Sequence, residues 1–394
     1  MLLLFNNIKD KNIFDLMVNY NEKNKDQLKS LLLGFGIKNG LTGNLYKKYI
    51  LYTFIYNDNP YTKAIERGHN TIGEIVSVID DYKFFYNLYY KNVDLGEALS
   101  FNFKKDDSQY LPILIDKIES NIKGDSLEEF IDAIESFYKN NGLADMAIYK
   151  AFRVDNGVLK PIKHVLNIGF DSLIGYDYQK NLLKENTEYF LNGMPYNNVL
   201  LYGDSGTGKS TSIKALLNTY FDRGLRIIEV YKHQMQEISK IINKLKSRPY
   251  YYIIYMDDLS FEEDEIEYKY LKSIIEGGIE PKPNNVAIYA TSNRRHLIKE
   301  MASDNASIMD DLHRNETQAE KLSLAYRFGL QIYYGSLSHK EFRNMVLELA
   351  KINNIEMEES LLLKEASAWE LTYGSLSGRC ASQFISYLIN KTRG

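Results

Sequence analysis

The first 150 residues space their apolar side chains three and four apart, the period of helices. Tyr46, Tyr49, Ile50, Phe54 and Tyr56 form one such stripe, in a segment closed by Asn59-Pro60. Phe84, Phe85, Leu88 and Tyr89 form another within 81–99. Ser126-Leu127-Glu128-Glu129 reads as a capping box. It opens a helix with Phe130, Ile131, Ile134, Phe137 and Tyr138 on one side, which Asn141-Gly142 ends. The stripes predict a helical region with an aromatic core. No catalytic constellation stands out there, and His69 sits among polar residues, as a surface histidine does.

The period then changes. Residues 151–159 alternate around Asn156-Gly157, the signature of a hairpin. Pro161 follows, and a boundary is expected at 160–168. Short apolar runs at 198–202, 226–230, 250–256, 286–291 and 330–334 predict strands. Helical patterns are predicted over 177–192, 209–222, 233–247 and 262–276. The unbroken run Tyr250-Tyr251-Tyr252-Ile253-Ile254-Tyr255-Met256 marks a strand buried on both faces. Strands alternating with helices predict an α/β domain with a five-stranded parallel, doubly wound sheet. A capping box at Ser338-His339-Lys340-Glu341 returns the pattern to helices, with further ones at 361–369 and 379–389. The expected domains are 1–165, mainly helical, then 166–335, α/β, then a helical lid at 336–394.

Between the first strand and its helix lies Gly203-Asp204-Ser205-Gly206-Thr207-Gly208-Lys209-Ser210, followed by Thr211. It fits G-x-x-x-x-G-K-[ST], the phosphate-binding loop. The glycines let backbone N–H groups approach phosphate oxygens, and the positive end of the following helix adds to their pull. Lys209 would reach the outer phosphates, and the Ser210 hydroxyl would ligate Mg²⁺. The expected ligands are therefore a nucleoside polyphosphate and Mg²⁺.

Composition narrows the setting. The 394 residues are 44% hydrophobic and 25% charged, as in soluble globular proteins. A net charge of −4 gives no global field toward nucleic acid or membrane. No run approaches the ~18 apolar residues of a membrane span. The lone Cys380 excludes an intrachain disulfide framework and suits a reducing cytoplasm, the compartment expected. The 32 tyrosines read as codon bias rather than a base-stacking surface.

Asp257-Asp258 ends the buried strand. Two adjacent carboxylates near a core are costly without partners. Beside a phosphate loop they make a cation site and a water-polarising base. Asp257 would hold Mg²⁺, mostly through water, and Asp258 would be the base. Thr291-Ser292-Asn293 ends the next strand, where an amide can orient the attacking water.

This arrangement resembles the AAA+ ATPases over about residues 165–394. The resemblance makes Asn293 the sensor 1 residue. It makes Arg327, in Leu322-Ser323-Leu324-Ala325-Tyr326-Arg327-Phe328-Gly329, an arginine finger reaching the γ-phosphate of a neighbouring subunit. It makes Arg379, after Gly374-Ser375-Leu376-Ser377-Gly378, the sensor 2 arginine of the lid. Leu173-Ile174-Gly175-Tyr176 looks like the stretch that contacts adenine in such proteins, through Ile174 and Gly175. Gly175-Tyr176, Asp257-Asp258-Leu259-Ser260-Phe261-Glu262, Ala290-Thr291-Ser292-Asn293-Arg294-Arg295-His296-Leu297, Glu320-Lys321-Leu322-Ser323 and Ser377-Gly378-Arg379 are similar to one bacterial family. That family comprises predicted AAA+ ATPases of unknown function with a variable helical N-terminal region. The resemblance makes the nucleotide ATP and implies ATP hydrolysis, a homo-oligomer and an unidentified client protein.

Two departures bear on the output. The second carboxylate of the strand is Asp258 where the wider superfamily has Glu, so hydrolysis is slow or Glu262 shares the role. The stretch Tyr231-Lys232-His233-Gln234-Met235-Gln236 lacks the Gly of protein-threading pore loops, which weakens an unfoldase reading. Three outputs stay open: remodelling or recruitment of a protein partner, a DNA-associated ATPase, and a nucleotide-dependent switch with weak hydrolysis. For DNA the sequence offers only the loose basic residues Lys244, Lys246, Arg248, Arg294 and Arg295, with no helix-turn-helix.

Overall fold

A computed structural model describes residues 2–68, 75–102, 110–261, 267–276, 282–293, 297 and 324–393. The chain divides into two compact units: Met1–Tyr149 with Ser247–Pro249, and Lys150–Lys246 with Tyr250–Gly394.

The first unit is helical. Leu45–Tyr56 carries the first aromatic stripe, with Tyr46, Tyr49 and Phe54 at most 1% exposed. Asn59-Pro60 does more than close that helix. Asn59 accepts the Thr62 N–H at 2.9 Å and caps the next helix, Pro60–Glu66, with Pro60 at its first turn. The stripe expected within 81–99 lies in a helix over Ile75–Tyr89, and Gly96–Leu99 forms only a 3₁₀ turn. Ser126 caps Leu127–Asn141 by accepting the Glu129 N–H, and Gly142 (φ 66°) ends it. Phe5, Phe54, Tyr82, Phe85 and Phe130 meet in the core edge to face or tilted, with Phe54 and Tyr82 stacked. The aromatic side chains are spent on packing, and their hydrophobic burial holds the helices together.

The second unit is built on a seven-stranded sheet rather than the five strands expected. The strands are β1 (Ala151–Asp155), β2 (Val158–Ile162), β3 (Val199–Gly203), β4 (Leu225–Glu229), β5 (Tyr251–Met256), β6 (Val286–Ser292) and β7 (Leu330–Tyr334), in the order β2-β1-β4-β5-β6-β3-β7. The two additional strands are the hairpin, which the sequence reading left on the N-terminal side of the boundary. β1 pairs parallel with β4, and β2 returns antiparallel through Asn156-Gly157, both at positive φ. The hairpin covers the β4 edge and buries Phe152 and Val154 against the sheet. All other pairings are parallel, and β6 is buried along its whole length.

Helices Asp177–Leu191, Lys209–Tyr220, Ile238–Leu245 and Glu267–Glu276 alternate with these strands. The helix expected at 233–247 is split, its first part being 3₁₀ (Lys232–Glu237). Helices His339–Ile352, Glu359–Tyr373 and Gly378–Arg393 pack around Phe342, Val346, Phe384 and Leu388 as a small separate core, with Cys380 buried in it. Among the described residues no helix is long and apolar enough to cross a membrane.

The start of β3 is tied down by Asn198, whose Oδ1 accepts the Ile288 N–H at 3.0 Å and Lys282 Nζ at 2.7 Å. Burial pushes the Lys282 pKa from 10.5 down to about 8. A lysine value lower in the fold than in the unfolded chain means the unfolded chain takes up the proton first. The resulting penalty is complete below about pH 8 and fades as pH rises to 10.5. Lys282→Met is therefore expected to raise Tm at pH 7 and to lose that advantage by pH 10, as read by thermal unfolding at both values. An equal Tm difference at both would refute the assignment.

Candidate functional site

β3 is flanked by β6 on one side and β7 on the other, so the chain leaves its carboxyl end in one direction and later crosses to the opposite side. Crevices for ligands form at such switch points. The loop at this point starts with Gly203 at φ 130°, where a Cβ would lie 2.1 Å from the Tyr334 carbonyl oxygen. Gly206, at φ 77°, passes so close to the lid that a Cβ would lie 2.9 Å from Arg379 Cβ. The loop therefore tolerates no side chain at either position. Gly208 leads into helix Lys209–Tyr220.

Lys209 is buried at the centre. Its Nζ donates to the carbonyls of Gly203 (2.9 Å) and Asp204 (2.6 Å) and to Asn293 Oδ1 (3.0 Å). Burial lowers its pKa, against the opposing pull of Asp204, Asp258 and Asp257. The amide of Asn293 also donates to Asp258 Oδ1 at 2.7 Å. Because β6 lies between β3 and β5, the residue just after β6 falls between the lysine and the carboxylates just after β5.

Asp257 Oδ1 accepts two hydroxyls, Ser210 and Thr291, each at 2.6 Å. Burial alone would raise its pKa, but these hydrogen bonds outweigh it and hold the carboxyl below its ordinary value. Thr291 Oγ1 in turn accepts the Asp258 N–H at 2.9 Å. Asp258 has φ 49°, a left-handed conformation that Asp adopts more readily than longer acidic side chains. This gives a local reason for Asp rather than Glu at this position. The sequence reading placed Thr291 at a strand end without a role. Its only signal was a hydroxyl one strand over from two carboxylates, and the pairing of β5 with β6 was needed to make it visible.

The loop and the two carboxylates form one wall of a cleft of about 760 Å³. Residues 205–211, Asp257, Asp258 and Asn293 line that wall. Ile174, Gly175, Met345 and Arg379 also line the cleft. Arg379 N–H donates to the Gly206 carbonyl at 3.1 Å, fixing the start of the last helix to the loop. Gly203 and Asp204 do not face the cleft. Arg327 does not reach it either and is ion-paired with Glu276. Glu262, Arg294, Arg295, His69 and residues 320–323 lie outside the described residues.

Among the described residues no group of three or more His, Cys, Asp or Glu forms a metal cluster. One carboxylate and one hydroxyl, Asp257 and Ser210, suit a Mg²⁺ that takes its other ligands from phosphate and water. Buried Lys209 and the N–H groups at the start of its helix suit the phosphates themselves.

A family model described as "Protein of unknown function (DUF815)" matches residues 145–392, more than half of the chain. The chain belongs to this family. The DUF815 match spans the hairpin, the sheet, every residue of the cleft and the lid. No curated protein matches the chain. Similar solved structures include a Thermotoga maritima RuvB mutant, at 16% identity over 55% of this chain and 63% of that one, with a TM-score of 0.38. The Thermotoga maritima RuvB Holliday junction branch migration motor is 15% identical over 56% and 71%, with a TM-score of 0.33. The Aeropyrum pernix ORC1 protein in complex with DNA is 15% identical over 56% and 62%, with a TM-score of 0.40. The chain thus spans less than two thirds of the length of the first of these.

Proposed function

We propose that this DUF815 chain is an AAA+ ATPase that binds and hydrolyses MgATP in the cleft and uses the cycle to remodel or recruit a partner protein. The observation that carries the reading is the set of contacts joining Lys209 of the glycine-rich loop to Asn293 and Asp258, beside Ser210 and Asp257. The loop N–H groups and Lys209 hold the phosphates. Ser210 and Asp257 hold Mg²⁺, which when bound neutralises charge on the phosphate oxygens. Asp258, positioned by Asn293, takes the proton of the attacking water. Arg379 brings a guanidinium toward the developing charge from the lid side. Ile174 and Gly175 bound the end of the cleft where adenine lies. Arg327 acts on the cleft of the next subunit, so the working form is a homo-oligomer.

The test is calorimetric titration of ATP into the wild type and Lys209→Ala, with turnover measured on both. Two or three charge-assisted hydrogen bonds are lost, so affinity is expected to fall about a hundredfold or more and turnover to vanish. A Lys209→Ala protein that bound ATP like the wild type would sink the site assignment. Stimulation of turnover by DNA with a steep salt dependence would replace the protein partner with nucleic acid. ATP-driven assembly without turnover would leave a switch in place of a motor.

A further inference from the structure

Asp204 poses a problem for the loop it belongs to. A carboxylate one residue into a polyphosphate-binding loop repels the ligand that the loop is built to attract. Its geometry supplies an explanation. The side chain turns away from the cleft, and its Oδ2 accepts both the backbone N–H and the hydroxyl of Ser336, each at 2.7 Å. Ser336 stands in the short linker between β7 and helix His339–Ile352, which begins the lid. Meanwhile the Asp204 N–H donates to the Tyr334 carbonyl at 2.9 Å. The Asp204 carbonyl accepts the Lys209 ammonium at 2.6 Å and the Thr207 hydroxyl at 2.8 Å. One residue therefore touches the phosphate-side lysine with its backbone and the lid linker with its carboxylate.

The linker has further anchors. The Tyr176 hydroxyl donates to the Gly335 carbonyl at 2.7 Å, and the Leu337 N–H donates to the Leu376 carbonyl at 2.8 Å, just ahead of Arg379. The Asp204 carboxylate ties this linker to the phosphate loop. Loop and lid meet again where Arg379 N–H reaches Gly206.

We propose that Asp204 is a positioning residue. Its carboxylate latches the linker at Ser336 to the phosphate-binding loop and so, alongside the bond from Arg379 N–H to Gly206, couples ATP in the loop to the placement of Met345 and Arg379 over the cleft. The proposal rests on the ATP reading above and goes beyond it by assigning a side chain that does not face the ligand. Electrostatics alone makes the opposite prediction, since neutralising an acid near phosphate should tighten binding. The sign of the effect therefore separates the two accounts.

The experiment is ATP titration and steady-state turnover on the full-length wild type, Asp204→Asn, Asp204→Ala, Ser336→Ala and the Asp204→Ala/Ser336→Ala pair, with thermal unfolding as a folding check. Asp204→Ala is expected to weaken ATP binding roughly three- to tenfold, the worth of one or two lost hydrogen bonds. Ser336→Ala, which leaves the loop sequence intact, should have a smaller effect in the same direction. The double variant should match Asp204→Ala, because the two side chains act as one unit. If the wild type binds ATP while the Asp204 variants bind as tightly or more tightly, the latch is wrong and the ATP site stands. Effects that simply add would also overturn the latch. A wild type that binds no ATP overturns the site reading and the latch together.

Discussion

Arg327→Ala is expected to lower ATP turnover by about a thousandfold while leaving ATP affinity within about threefold, on the scale of fingers supplied in trans. The two halves of this expectation come from different observations. Arg327 does not line the cleft of its own chain, and its guanidinium is paired with Glu276, so removing it strips no contact from ATP bound there. A guanidinium brought by a neighbour into a dry site still stabilises charge that builds only in the transition state. The decisive measurement is complementation. Lys209→Ala and Arg327→Ala are each expected to be inactive alone. Mixed, they form some interfaces with an intact Lys209 on one side and an intact Arg327 on the other, and turnover returns in part. If the mixture stays inactive while each protein still assembles, Arg327 is not acting across an interface. If Arg327→Ala alone turns over like the wild type, it has no catalytic part.

The second large effect concerns stability of the first unit. Asp81→Ala is expected to cost about 3 kcal/mol, because it removes at once the acceptor of the buried Phe5 N–H and of the part-buried N–H groups of Leu3 and Leu4. Asp81 is 2% exposed, and its carboxylate accepts the N–H groups of Leu3, Leu4 and Phe5 at 2.8–3.0 Å. That clasp holds Phe5, fully buried, against Phe54 and Tyr82. In a unit of this size the loss corresponds to a fall in Tm on the order of 10 °C. Asp81→Asn, which keeps one acceptor oxygen, should lose distinctly less. Amide exchange at Leu3, Leu4 and Phe5 reports the same event locally. Unchanged protection there in Asp81→Ala would show that the carboxylate is not what holds the segment.

The local chemistry of the site was written in the chain. Gly203 to Ser210 needed its residue types and its place between a strand and a helix, because backbone approach to phosphate depends on local φ values and on the first turn of one helix. The cap at Ser126, the cap at Ser338 and the buried run of β5 were equally legible, since each depends on neighbours a few residues away. The hairpin was legible as a hairpin but not as part of the sheet. Which edge it joins depends on the β4 strand about 70 residues later, and no local pattern carries that information.

The sequence alone determined the glycine-rich loop, the paired carboxylates and the alternation of strands with helices. These follow from side-chain chemistry and from periods of two and 3.6 residues. The tertiary structure decided how they are placed together. The order β5-β6-β3 set Asn293 between Lys209 and Asp258 and gave Thr291 its hold on Asp257. It turned the Asp204 carboxylate out of the cleft toward Ser336 and kept Arg327 away from the cleft of its own chain. Such relations depend on strand pairing between segments far apart in sequence, and pairing is fixed by burial of whole faces rather than by any short run of residues.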